Sequence, residues 1–168
     1  ILADLIAKTS FSISPDETRP HLNSALLEWD GAVARMVTTD GHRLSKYEID
    51  VPGVEAKFSL LIPLKGIGEL RRLCDELRSD KSTDASIKLL RGGPNVFFSY
   101  ARPGEESLLA IKLVDAQFPP YQQVIPQRSD HSARVSRASF IDALRAMSIA
   151  ASERTGSVKI SLAGGTMR

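Results

Sequence analysis

The stretch TTDGHRLS, residues 38–45, gathers side chains that could do chemistry: Asp40 and His42, with Arg43 beside them and Ser45 near. A carboxylate orienting an imidazole is half of a general-base or nucleophilic site, provided both side chains converge on a substrate. Asp-Gly between strand-forming runs is equally a hairpin turn, explained by backbone geometry, because both central positions of such a turn favour positive φ. His21 and His131 stand far away in sequence, and Cys74 is the single cysteine, so no H-x-x-x-H or C-x-x-C pair offers metal-ligand spacing. The glycines of GGPN and KGIGE lack the form of a phosphate loop. Cys74 falls on an apolar helical stripe, where a thiol packs as a small hydrophobe. Leu44, directly after polar turn residues, reads either as a strand leucine facing the sheet core or as the floor of a binding pocket.

The elements that must position these residues follow from periodicity. Residues 1–10 read as a short amphipathic helix with Leu2, Leu5 and Ile6 on one face, ended by SPDETRP. ALLEW, AVARMVTT and RLSKYEIDV, joined at Asp30-Gly31 and Asp40-Gly41, predict a three-stranded meander over residues 25–51, and FSLLIP adds a fourth strand. KGIGELRRLCDELRS repeats Ile67, Leu70, Leu73, Cys74 and Leu77 at helical spacing. ASIKLLR, NVFFSYA and SLLAIKLV read as three more strands, turning at GGP and at RPGE, where Pro and Gly stand as a type II turn wants them. DAQFPPYQQVIPQRSDHS has three prolines and no period, and reads as an extended linker. SRASFIDALRAMSIAASER is helical, with Phe140, Leu144, Met147 and Ala151 on one stripe and Ser136 or Ser139 as cap; SVKISLA reads as a strand. SISPDETR at 12–19 and SIAASERT at 148–155 both lie between a helix and a strand, an offset of 136 residues that suggests two copies of one domain type.

Composition bounds what such a chain can be. Its 168 residues suffice for one domain with a sizeable core, and 42% hydrophobic with 25% charged residues is an ordinary globular balance. No apolar run is long enough to span a membrane, the start lacks a basic signal-peptide region, and one cysteine fits a cytosolic compartment. A formal net charge of +2 does not announce nucleic acid, so any such partner must meet local basic patches. The absence of an initiator Met and the stop straight after a strand-like run read as a piece of something longer.

FSISPDETRPHLN, TTDGHRLS, IPLKGIGELRRL and KLVDAQFPPYQQVIP, in this order and spacing, resemble the middle domain of the bacterial replicative sliding clamp, the β subunit of DNA polymerase III. The resemblance covers residues 1–128 as that middle domain, with 129–168 as linker and the truncated start of the third. It implies an α+β clamp fold of repeated helix-plus-antiparallel-strand units, helices on the inner face and sheets outside. It implies a cytoplasmic, nucleoid-associated bacterial processivity factor that is not an enzyme, needs no cofactor or metal, and forms a head-to-tail homodimer ring around double-stranded DNA without reading its sequence. Contacts to phosphates suit such sequence-independent holding. Lys65 matches a family DNA-contacting lysine, and Arg71 and Arg72 are further inner-face candidates by helix position. Polymerase subunits, clamp loader and repair proteins would dock through short Gln-Leu-x-Leu-Phe-like peptides. Carried over by motif, the pocket would be lined by Arg19, Leu22, Thr39, Gly41, His42, Arg43, Leu44, Pro119 and Val124. This resemblance makes Leu44 pocket floor. His21 stands where tyrosine is common, Pro120 replaces a frequent acidic residue, Gln123 a basic one, and Leu64 a basic residue beside Lys65. A stand-alone decoy or resistance variant of the clamp is the alternative reading, and an enzyme using Asp40 and His42 a third.

Overall fold

The computed structural model describes residues 1–53, 56–79, 86–102, 104–126, 132–150 and 158–168, which fall into two compact units, Ile1–Val124 and Ile125–Arg168. The first unit states one plan twice. Helix α1 (Leu2–Thr9) precedes β1 (Ser24–Gly31), β2 (Val33–Thr39), β3 (Leu44–Asp50) and β4 (Ala56–Pro63), a sheet ordered β3-β2-β1-β4; α2 (Leu64–Ser79) precedes β5 (Lys88–Gly92), β6 (Asn95–Arg102) and β7 (Glu105–Lys112), ordered β5-β6-β7. All pairings in both sheets are antiparallel.

Register divides the first sheet into two faces, because directly paired residues project to the same side. Leu27 and Trp29 pair with Met36 and Ala34 across β2, and Ala25, Leu27 and Trp29 pair with Ile62, Leu60 and Phe58 across β4. These residues, with Leu5 and Ile6 of α1, Ile67 and Leu70 of α2, and Val96, Phe98 and Ile111 of the second sheet, make one core. The opposite face carries Leu44 beside Thr39; then a row of Lys46, Val37, Leu26 and Leu61; then Glu48, Arg35, Glu28 and Ser59; and then Asp50, Val33, Asp30 and Lys57.

Helix α2 buries Ile67, Leu70, Cys74 and Leu77, the stripe its sequence predicts, while Leu73 is only partly buried. It also buries Gly66, where an added Cβ would lie 2.8 Å from Ile111 Cγ2 and 3.2 Å from Ile62 Cγ2. A glycine there lets the helix approach both sheets. Past β7 the chain leaves its own sheet: Leu113 N–H donates to Pro94 O (2.8 Å) and Val114 N–H to Leu61 O (2.9 Å), tying the segment to β4.

Several expectations change. Neither Asp30 nor Asp40 has positive φ. The first hairpin pairs Asp30 with Val33, so its central residues are Gly31 (φ +62) and Ala32, with positive φ only at the first, as a type II′ turn requires. The second pairs Thr39 with Leu44 around the longer loop 40–43, with Gly41 at φ +92. The proline-rich segment is not a free linker over its whole length: Tyr121–Gln123 forms a 3-10 turn, and Phe118 and Tyr121 are buried. Pro fixes φ without forming a ladder, so two aromatic side chains rather than strand pairing hold this strap. β5 begins at Lys88, later than predicted, and β7 ends at Lys112.

In the second unit α3 spans Arg137–Ala150, and Ser136 rather than Ser139 caps it: Ser139 N–H meets Ser136 Oγ at 3.5 Å and Phe140 N–H donates to Ser136 O at 3.0 Å. The predicted strand 157–163 shortens to β8 (Leu162–Ala163), which turns at Gly164-Gly165 to pair with β9 (Thr166–Met167). A strand is as long as its partner, and among the described residues of this unit only that return pairs with it. The proposed end of the helix at 151–154 and most of SIAASERT lie outside the described residues.

Candidate functional site

The loop 40–43 is organised by its own side chains. Asp40 Oδ1 accepts the backbone N–H groups of His42 (2.9 Å) and Arg43 (3.0 Å), and Asp40 Oδ2 accepts Arg43 Nε (3.0 Å). The two amide bonds, and after them the Arg43 guanidinium, hold the Asp40 carboxyl at about 2. Thr39 Oγ1 donates to Arg43 O (2.7 Å) and accepts Gly41 N–H (3.1 Å). Asp40 is thus an Asx-type turn former: its bonds go to backbone and to Arg43, not to the His42 ring, which is exposed. Those bonds describe a turn, not an acid–base pair.

Arg43 Nη2 donates to Phe11 O (2.8 Å), and Ser45 Oγ meets Ser12 Oγ at 2.7 Å. Ser14 N–H donates to Leu22 O (3.0 Å), and Leu22 N–H to Arg19 O (2.9 Å). Residues 11–14 therefore lie between the two turns that carry Arg19, Leu22 and Thr39–Leu44. Leu22 and Thr39 are buried, and Leu44 is half-buried on the face away from the helices. Arg19 is paired through Nε with Asp16 Oδ2 at 2.8 Å.

The strap supplies the remaining two candidates. Pro119 lines an open groove together with Leu26, Glu28 and Leu61 of the first sheet's helix-distal face and with Arg91 and Lys112; Val124 is 70% exposed. None of the other eight docking candidates lines that groove. The structure brings Arg19, Leu22 and Thr39–Leu44 around residues 11–14, and Pro119 and Val124 onto the strap. Sequence reasoning missed Tyr121, whose hydroxyl donates to Glu28 Oε2 at 2.8 Å. An aromatic residue inside a proline-rich, aperiodic stretch was the available signal.

On the helices, Lys65 is 90% exposed with only a 3.8 Å approach to Glu17 Oε1. Arg72 is held by both oxygens of Glu69 at 2.8 and 3.0 Å, and Arg71 is exposed. Arg78 crosses from α2 to Asp4 of α1 at 2.5 Å. Burial raises the Cys74 thiol, in keeping with a packing role. Among the described residues no three His, Cys, Asp or Glu side chains group as metal ligands do, and no helix is long and apolar enough to cross a membrane.

Helices laid on one face of antiparallel sheets, the plan stated twice in one unit, define the clamp class of α+β proteins. The model of the DNA polymerase III beta subunit, central domain, matches residues 1–120, and the chain belongs to this family of bacterial sliding clamps. It is 30% identical over 167 residues to the beta sliding clamp of Vibrio cholerae, covering 99% of this chain and 43% of the relative. It is 31% identical over 169 residues to that of Pseudomonas aeruginosa, again 99% and 43%. The sliding clamp of Pseudomonas aeruginosa solved bound to griselimycin superposes with a TM-score of 0.81 at 30% identity, covering 98% of this chain and 42% of that one. A putative beta subunit from Eubacterium rectale shares the fold at a TM-score of 0.82 and 19% identity. The chain spans about two-fifths of the length of these relatives.

Proposed function

We propose that residues 1–128 are the middle domain, and 129–168 the start of the third, of a cytoplasmic processivity clamp that closes as a head-to-tail dimer around duplex DNA. Its outer face docks polymerase, clamp-loader and repair proteins through short Gln-Leu-x-Leu-Phe-like peptides. The observation that carries the docking reading is the placement of Leu44: half-buried, on the face opposite the helices, at the end of a turn whose polar groups are already bonded to one another. An apolar anchor needs such a floor, and a rigid turn beside it fixes register at low entropic cost. The helical face would carry the DNA, with Lys65, Arg71 and Arg72 as phosphate contacts.

Fluorescence polarisation with a labelled Gln-Leu-Ser-Leu-Phe peptide tests the site. Saturable binding lost in Leu44→Arg is the expected result. Equal affinity in wild type and variant would place the peptide elsewhere, and no binding even by a chain extended through the third domain would overturn the docking reading.

A further inference from the structure

Two of the nine docking candidates, Pro119 and Val124, ride on the strap, and a single residue bonds to both. Tyr121 N–H donates to Pro119 O (2.7 Å), and Val124 N–H donates to Tyr121 O (3.2 Å). The Tyr121 side chain is then fastened to the sheet. It is 4% exposed, its ring meets Phe118 edge-on at 6.4 Å, and its hydroxyl donates to Glu28 Oε2 at 2.8 Å. Glu28 is itself part of a charged row across the outer face. Arg35 Nη1 lies 3.9 Å from Glu28 Oε2, Arg35 Nε 3.5 Å from Glu48 Oε2, and Lys46 Nζ 2.9 Å from Glu48 Oε2. A row of alternating charge on three paired strands resists rotamer change more than a lone carboxylate does.

We infer that Tyr121, anchored by Glu28, is a positioning residue for the docking site: it sets where the strap presents Pro119 and Val124. The inference rests on the docking reading above. Tyr121 and Glu28 are not themselves among the peptide-lining candidates; they act by fixing the backbone on either side of the 3-10 turn. Burial, and then the bond to Glu28, keep the phenol protonated, so it stays a donor. A hydroxyl bonded to a partly buried carboxylate is a charge-assisted bond. Its removal in Tyr121→Phe leaves the ring and its packing in place, so the fold is retained.

The test compares wild type, Tyr121→Phe, Glu28→Gln, Glu28→Ala and the double variant Tyr121→Phe/Glu28→Ala by two readouts. Amide hydrogen exchange at Tyr121, Gln123 and Val124 reports the anchoring itself, and polarisation with the labelled Gln-Leu-Ser-Leu-Phe peptide reports its consequence. Tyr121→Phe should speed exchange at those amides and weaken the peptide about 3-fold to 10-fold, the range of one such bond. Glu28→Gln keeps an oxygen acceptor and should stay nearer wild type than Glu28→Ala. The double variant should be no weaker than the worse single one, as expected of partners in one bond. A purely structural role would lower thermal stability without this pattern in affinity. Unchanged exchange in Tyr121→Phe overturns the anchor; faster exchange with unchanged affinity overturns the positioning role. A wild type that never binds the peptide overturns instead the docking reading beneath it.

Discussion

Asp40 shows how one residue can be read as chemistry and act as architecture. A carboxylate two positions from a histidine has the makings of a dyad, yet its oxygens are spent on the amides of the loop that begins with it. The pH dependence follows from those bonds. Its pKa falls from an ordinary 3.8 to about 2 in the folded chain, so the ionised form favours the folded loop. That contribution is present above the unfolded value and is lost as pH falls from about 4 toward 2. Amide chemical shifts of His42 and Arg43, followed by NMR through acid titration, should move together with a midpoint near 2. A midpoint at the ordinary carboxylate value would show that the bonds do not form in solution. His42→Ala, by contrast, removes an exposed ring and should change stability by less than about 0.5 kcal/mol in urea denaturation.

At the scale of elements, helix α2 carries the sharpest test, because two glycines in it sit in opposite surroundings. Gly66 is buried against Ile111 and Ile62, where a methyl group would meet Ile111 Cγ2 at 2.8 Å. Isoleucine is stiff at that branch, so the neighbour cannot simply swing away. The gain in helix propensity from alanine, about 0.5–1 kcal/mol, is outweighed by overpacking of about 1–3 kcal/mol, and Gly66→Ala should destabilise. Gly68 faces open space, and Gly68→Ala should stabilise by about 0.5–1 kcal/mol. Chemical denaturation of both variants checks the pair; equal signs would refute the packing account. The helices were legible in sequence because a period of 3.6 survives any context, and Ile67, Leu70, Cys74 and Leu77 state it without interruption. The meander was legible from its Asp-Gly punctuation, although the turn types were not: whether Asp or the residue after Gly lies with Gly in the turn, and how long the loop is, depends on strand register. The strap reads as linker in the sequence because a proline-rich stretch has no period, and its aromatic residues alone do not say which sheet they pack against. The candidate site was legible only in part for a related reason. TTDGHRLS names the turn, but which face Leu44 occupies is a property of its pairing with Thr39.

For the whole molecule, the proposed function raises the question of how a clamp would hold DNA and still let it slide. The two helices of the first unit carry Lys8, Lys65, Arg71, Arg72 and Arg78 among Asp4, Glu69, Asp75 and Glu76. Five cations among four anions make a face that is only weakly attractive, and two of the cations are already engaged: Arg72 by Glu69 and Arg78 by Asp4. Lys65, with its single long approach to Glu17, and Arg71 are the freer ones among the described residues. Each phosphate neutralised releases counterions and adds about 0.9 to the slope of log affinity against log salt. Titration of this chain with labelled duplexes of two unrelated sequences at low salt should therefore give weak binding with a shallow slope. Lys65→Ala and Arg71→Ala should each lower that slope by about 1, equally for both duplexes. Arg72→Ala should lower it less, because Glu69 shares its guanidinium with any phosphate. A loss that differed between the two duplexes would indicate base readout. A slope unmoved by Lys65→Ala would take the DNA off this helical face, and with it the reason for a near-balanced charge there.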